Sequence, residues 1–365
     1  MKIEGFRYIP NLNLNPSKGK LEKSLIKENI PYSVIPHYKW TYNFDLYQKK
    51  RKSSFLLAEM WLYKNKIQKK IKNSVYYSAH KKFVKQFQPD IIYVNSSMAP
   101  MGCLIAHSNN IPLVWHHRET VDDPVTGFFL EDNKKFRYFF KQTNLHLYPS
   151  QFLMNSYQVE EENSKHVVVY DGVASGNGSP RENRQNTNTI KFGIIGRINS
   201  QKGQKEVMDV FDQFQVENYN YELHVFGDGN EGYINELKTK YVNNNKFLYR
   251  GFQDHETIYN DIDFLIVNAK NESFGRVVAE ANSFGVPVIS VRSGALKEIV
   301  FKNINGLQYS NKDELYIILR NLFSDFYPKD FYKNLSYSSL ICFENKFSIK
   351  VSSGVLYDEL KRLLR

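Results

Sequence analysis

The chain alternates short, nearly continuous apolar runs with stretches of helical period. Runs at residues 89–95, 111–115, 145–148 and 167–173, then 191–195, 247–250 and 263–267, have the length and content of buried strands. Between them, residues 102–108 and 204–214 repeat apolar positions at helical spacing, and another helix is expected to start near Gly275. Strands alternating with helices predict an α/β protein with parallel sheets, whose ligands bind at the carboxyl ends of the strands. In the tail, residues 347–364, Ile349, Val355, Leu356, Leu360, Leu363 and Leu364 follow roughly helical spacing, so a terminal helix is expected there.

The start departs from this pattern. Residues 1–20 hold Pro10, Pro16 and several Asn, all poor strand material, and no glycine-rich turn. The first expected unit is therefore a helix at 21–27 followed by a strand at 32–35. Residues 174–189 are rich in Gly, Ser, Asn and Arg and read as a linker about which two halves would hinge. The expected organisation is an N-terminal domain at 1–173, the linker, a second domain at 190–340, and a final helix within 341–365 that returns to the first domain.

Composition fits two cores, since 365 residues at 42% hydrophobic content exceed what one small domain needs. No run approaches a membrane-spanning length and the N-terminus lacks a signal pattern, which predicts a cytoplasmic protein. Cys103 and Cys342 are too few for a disulfide framework or a thiolate metal site, and both are expected in the core. The net charge of +11 is local: residues 1–85 hold 19 Lys or Arg against 5 Asp or Glu. Between 47 and 85 the basic residues interleave with Phe55, Leu56, Leu57, Met60, Trp61, Leu62 and Tyr63, a mixture suited to an anionic membrane surface. A solvated helix face and a nucleic-acid stripe compete with that reading. The expectation is peripheral attachment at the inner face of the cell membrane, without nucleic acid.

Candidate chemistry concentrates in residues 190–290, which read as two strand-turn-helix cups. In the first, Gly196, Arg197, Lys202 and Gly203 lie between a strand end and a helix start. Backbone N–H groups and the positive end of a helix dipole attract anions there, while Arg supplies a planar fork and Lys a point charge for phosphate oxygens. In the second, Glu272 sits in the loop after residues 263–267, Phe274 and Gly275 offer backbone amides, and Glu280 lies eight positions beyond Glu272 on the helix. A nucleoside-diphosphate sugar spans such an arrangement, with Glu272 near the sugar and Glu280 on the ribose hydroxyls.

Gly196 and Arg197 with Lys202 and Gly203, the Phe226-Gly-Asp-Gly run, Arg250 and Gly251, Glu272-Ser-Phe-Gly with Glu280 and Ala281, and Gly285-Val-Pro-Val with Gly294 and Glu298 together resemble the C-terminal half of family 4 glycosyltransferases. The resemblance covers about 110 positions. It implies the GT-B fold, two Rossmann-like domains with parallel sheets facing a central cleft, and retaining transfer without a metal or other cofactor. It also implies that Arg197 and Lys202 hold the donor phosphates, Glu272 the sugar and Glu280 the ribose. Members of the family carry a strand and a glycine turn before a segment resembling residues 19–22. The N-terminal domain is therefore expected to lack its first strand-helix unit, through shortening or a late start codon, and transfer is expected to be impaired.

His116, Arg118 and Glu119, at the end of the run 111–115, resemble the His-x-Arg-Glu of polysaccharide-building members. That places His116, with Glu272, among the catalytic candidates, and Arg118 and Glu119 on the acceptor side, whereas His117 occupies the variable position. Two further motifs are discounted. Gly227, Gly229 and Gly232 fit a dinucleotide pattern, yet no acidic residue ends the following strand. Asp261 and Asp263 mimic a metal-binding Asp-x-Asp, but Asp263 begins a strand and lacks companion ligands. The expected function is transfer of a sugar from a nucleoside-diphosphate sugar to a lipid-linked or polysaccharide acceptor, of the capsular, exopolysaccharide or lipopolysaccharide type. The rivals are a GT-B sugar-nucleotide epimerase and a non-catalytic membrane- or nucleic-acid-binding relic.

Overall fold

A computed structural model describes residues 11–12, 20–121, 128–157, 164–176, 178–181, 189–215, 217, 219–324, 326–328 and 330–365. The chain divides into two compact units. Unit 1 takes residues 1–148, 154–168 and 356–365, and unit 2 takes 149–153 and 169–355. Both are α/β units with parallel sheets, and the fold class is GT-B.

Unit 1 contains β1 (Asn11–Leu12), β2 (Ser33–Val34), β3 (Thr41–Asn43), β4 (Ile92–Val94), β5 (Leu113–His116), β6 (Phe128–Leu130), β7 (Leu145–Tyr148) and β8 (Lys165–Val168). Its main sheet runs β4-β5-β7-β8, parallel throughout. The central strands β5 and β7 are buried at every position, as expected where helices cover both faces. Asp132 caps helix Asn133–Lys141 by accepting from the Lys135 N–H, which aims Phe136, Phe139 and Phe140 at Trp115 and Trp40 in the core.

The expectation that no strand precedes the first helix is corrected. β1 pairs in parallel with β2 across helix Lys20–Lys27, closing a strand-helix-strand unit. Pro10 and Pro16, which discouraged that reading, lie outside the described residues, and the pairing itself is made by Asn11 and Leu12. A two-residue pairing is made by backbone groups and needs little side-chain propensity. A second feature outside the sequence reading is the antiparallel pair β3 and β6, which joins residues nearly ninety positions apart.

Unit 2 contains β9 (Ile190–Ile195), β10 (Tyr221–Phe226), β11 (Phe247–Gly251), β12 (Phe264–Val267), β13 (Val288–Val291) and β14 (Gly306–Tyr309). The order β11-β10-β9-β12-β13-β14 is parallel throughout. Strand order therefore reverses between β9 and β12. In an open α/β sheet, ligands bind outside the carboxyl ends at such a switch point. The segments leaving these two strands are residues 196–203 and 268–275, the two cups.

The segment expected to be a linker is part of unit 2, and it is held there at Gly178 and Arg181. The Gly178 N–H donates to Ser283 O at 3.3 Å, and a Cβ on Gly178 would lie 2.4 Å from Phe284 Cα. Arg181 donates from Nη1 to Ile262 O at 2.5 Å and from Nη2 to Tyr259 O. The glycines that suggested flexibility thus permit close approach of two backbones. The remainder, 177 and 182–188, lies outside the described residues. Residues 341–355 likewise belong to unit 2, and the part of helix Ile349–Leu363 that returns to unit 1 begins at 356, with Glu359 paired to Lys165.

Candidate functional site

After β9 the chain turns at Gly196 and exposes Arg197, whose side chain has no hydrogen bond or ion pair among the described residues. Asn199 then shapes the approach to Lys202, its Oδ1 accepting from the Gln201 and Lys202 N–H groups at 3.1 Å each. Gly203 follows with φ +68°, and a Cβ there would meet Asn268 Nδ2 at 2.4 Å, so only glycine fits. Helix Gln204–Asp212 starts from Gly203 with no side chain capping its first N–H groups.

The second cup is built against the first. Asn268, just past β12, donates from Nδ2 to Gly203 O at 3.0 Å and accepts at Oδ1 from the buried Tyr309 hydroxyl at 2.9 Å. One amide therefore ties the loop after β9, the loop after β12 and the end of β14. Sequence reasoning missed it, because a single Asn after a strand carries no pattern. Replacing Asn268 by Ala leaves a carbonyl and a buried hydroxyl unpaired, so unit 2 is expected to lose about 1–3 kcal/mol. Chemical denaturation with an unchanged midpoint would exclude that role.

Two predicted residues from different cups meet. Lys202 Nζ donates to Glu272 Oε2 at 2.7 Å, with the side chains 38% and 24% exposed. Gly294, at φ +55°, passes so close that a Cβ would sit 2.7 Å from Glu272 N, and Ala295 N–H donates to Glu272 O at 2.9 Å. These contacts fix the Glu272 backbone while its carboxylate stays at the switch point. Phe274 contributes through its backbone, because its buried ring lies beside Tyr170 and Phe347 in the core of unit 2. Gly275 begins helix Arg276–Ser283, and no side chain caps it.

Glu280, in the second turn of that helix, is nearly buried and surrounded by groups absent from the sequence reading. Tyr259 donates to its Oε2 at 3.2 Å, His255 Nδ1 lies 3.7 Å from the same oxygen, and Arg276 Nη2 lies 3.5 Å from Oε1. Burial, reinforced by the Glu280 charge, holds the Tyr259 hydroxyl well above its ordinary pKa, so it stays a donor. Glu298, part of the quoted motif, works elsewhere. Its carboxylate accepts from the Gln151 and Phe152 N–H groups at 3.0 and 2.8 Å and from Tyr170 at 3.3 Å, holding the start of helix Gln151–Ser156.

In unit 1, β5 delivers His116 to a strand end, buried. Arg118 Nη1 lies 3.2 Å from its Nε2, and Tyr93 Oη lies 2.5 Å from its Nδ1. Arginine can only donate, so Nε2 accepts and Nδ1 carries the hydrogen. Burial and then the Arg118 charge push the His116 pKa down to about 3. A ring held neutral with both nitrogens engaged is suited to hydrogen bonding and not to proton transfer. Glu119 is turned back onto the loop after β4, accepting from Ser96 Oγ at 3.1 and 3.2 Å and from Ser97 N at 3.0 Å. His117 is fully buried in a stack with His146 and Tyr148.

Asp261 and Asp263 have partners of their own. Asp261 pairs with Lys191 at 2.8 Å, and Asp263 accepts from the Lys191 N–H at 2.8 Å. Burial opposes ionisation of Asp261, but Lys191, His224 and Arg250 outweigh it and keep its pKa below the ordinary value. His224 Nδ1 lies 3.0 Å from Asp261 Oδ2 without the alignment of a hydrogen bond. Among the described residues no three His, Cys, Asp or Glu gather as metal ligands would.

Residues 178–325 match the family of glycosyl transferases group 1. The chain is 26% identical over 247 residues to an uncharacterized glycosyltransferase of Methanocaldococcus jannaschii, covering 63% of this chain and 64% of that one. It is 27% identical over 253 residues to the lipopolysaccharide 1,6-galactosyltransferase of Escherichia coli K12, covering 64% of each. In both cases the matched stretch is just under two thirds of the relative's own length. Among solved structures, Anabaena HepE in complex with UDP superposes with a TM-score of 0.74 at 18% identity, covering 97% of this chain and 92% of that one.

Proposed function

We propose that the chain transfers a sugar from a nucleoside-diphosphate sugar, with retention and without a metal, to a lipid-linked or polysaccharide acceptor of the cell surface. The observation that carries this is the Lys202–Glu272 pair between the loops that leave β9 and β12, with the exposed Arg197 side chain on the first loop and Glu280 in the helix that follows the second. The galactosyltransferase relative and the UDP and UDP-glucose complexes of HepE support a uridine diphosphate sugar as donor.

On this reading the donor diphosphate competes with Glu272 for Lys202. Ammonium and guanidinium turn to the phosphate oxygens, and the released carboxylate takes hydroxyls of the sugar. Charge accumulating on the departing diphosphate is met by Arg197, Lys202 and the amides at Gly275, which is where electrostatic stabilisation is most effective. Glu280, aimed by Tyr259, accepts from the ribose. His116, neutral and with both ring nitrogens taken by Tyr93 and Arg118, helps to hold the acceptor side in place and takes no proton.

The test separates the two glutamates. Glu280→Gln is expected to weaken free uridine diphosphate about tenfold, the worth of one charged hydrogen bond. Glu272→Gln releases Lys202, so it is expected to bind the free nucleotide no more weakly while transfer falls. Calorimetry showing the reverse order would reject the assignment. Product analysis with and without acceptor distinguishes transfer from epimerisation, since an epimerase alters the donor with no acceptor present.

A further inference from the structure

Helix Phe55–Phe87 is 33 residues long and leaves a row of its apolar side chains exposed. The face toward unit 1 is held largely by polar groups. Lys69 pairs with Glu131 and donates to Thr41 O at 2.8 Å, Asn73 Oδ1 accepts from the Tyr38 N–H at 2.7 Å, and Lys72 Nζ donates to Tyr38 Oη at 3.1 Å. The opposite face presents Leu56, Met60, Tyr63, Ile67, Ile71 and Val75, from 40% exposed at Ile67 to 68% at Tyr63. Their spacings of three and four residues make one stripe about 28 Å long at 1.5 Å per residue. Exposed apolar surface of that extent marks a contact.

We propose that this stripe docks unit 1 on an anionic lipid bilayer, the helix lying in the plane of the interface. Charge selects the occupant. Residues 44–87 hold 12 Lys or Arg against only Asp45 and Glu59. Exposed Lys64 and Lys70 flank the stripe, and Lys81, Lys82 and Lys85 continue along its line. Lysines around an inserted aliphatic stripe meet lipid phosphates while the stripe enters the acyl boundary. A second copy fits less well. A coiled-coil repeat running through residues 56, 60, 63 and 67 would next need apolar residues at 70 and 74, which are Lys70 and Ser74. Nucleic acid fits less well too, since the exposed residues are mainly aliphatic and offer little for bases to stack on. Among the described residues no helix is long and apolar enough to cross a membrane, so the contact is one of lying on the surface.

The full chain should sediment with vesicles of phosphatidylcholine and phosphatidylglycerol, not with phosphatidylcholine alone, and high salt should release it. Replacing Ile67→Ser together with Ile71→Ser should lower partitioning about tenfold or more, and Lys64→Glu with Lys70→Glu should do the same. Both pairs are exposed, so the thermal midpoint should not move. Equal binding to neutral vesicles, or undiminished binding by both variants, would overturn the proposal. So would a solution dimer that Ile67→Ser with Ile71→Ser splits, or tighter binding to duplex DNA than to anionic vesicles. Calorimetric affinity for uridine diphosphate, a property of unit 2, should be the same in every variant.

Discussion

Lowering the pH from 7.5 to 5.5 is expected to strip about 4 kcal/mol from the stability of unit 1, through His116, His117 and His146 alone. All three are buried, and burial leads the forces that hold them neutral. His116 and His146 are pushed down to about 3 and His117 well below its ordinary value, aided by the charges of Arg118 and the neighbouring histidines. The unfolded chain protonates the same rings near pH 6.5, so below that value unfolding takes up protons that the folded state refuses. The contribution is complete above about pH 7 and is lost progressively as pH falls toward 3, where folded His116 and His146 would themselves protonate.

The hydrogen bonds reinforce this. His146 Nε2 faces the Phe140 carbonyl at 3.1 Å, which can only accept, so His146 Nδ1 is left to accept from His117 Nε2 at 2.9 Å. His117 Nδ1 in turn accepts from Ser97 at 3.1 Å. A proton added at His117 Nδ1 would force Ser97 to stop donating to the ring and turn its hydrogen to the Glu119 carbonyl, 3.4 Å away. The loss is a large fraction of the stability of a typical domain, about 5–15 kcal/mol. All 3 tryptophans, Trp40, Trp61 and Trp115, lie in unit 1, so their fluorescence reports that unit separately from unit 2. A urea midpoint that stays constant between pH 7.5 and 5.5 would contradict the prediction.

The second large effect is on transfer. Arg197→Ala is expected to lower kcat/KM roughly thirtyfold, about 2 kcal/mol, the worth of a charge-assisted hydrogen bond to phosphate. Its side chain is exposed and has no partner among the described residues, so truncation removes nothing the fold relies on and the melting temperature should not change. Lys202→Ala should cost at least as much, since it removes the proposed phosphate contact together with the group that holds Glu272 at 2.7 Å. Combining the two should cost less than the product of the single losses, because both cations act on one diphosphate. Unchanged nucleoside-diphosphate affinity in both single variants would remove the phosphate site from the proposal.

What the sequence determined by itself was the pattern that depends on neighbours along the chain. The apolar runs at 191–195 and 263–267 became β9 and β12, and the helices after Gly203 and Gly275 began where backbone turns and missing side-chain caps put them. Strand alternation at 89–95, 111–115 and 145–148 was equally legible. Tertiary structure alone decided the pairings between distant positions. The joining of Lys202 to Glu272, Asn268 between Gly203 and Tyr309, and Tyr259 and His255 against Glu280 depend on how distant elements pack, and β9 beside β12 is not implied by either strand's composition, whereas Arg276 and Glu280 pair one turn apart on a single helix. The same reason explains the two misreadings. Asn11 and Leu12 became a strand because Ser33 and Val34 offered backbone partners, and Gly176 and Gly178, in the stretch after Val173, lie against Ser283 and Phe284 at the end of helix Arg276–Ser283. Propensity describes what a segment prefers when alone, whereas a backbone hydrogen bond or a close contact is settled by what the fold brings beside it.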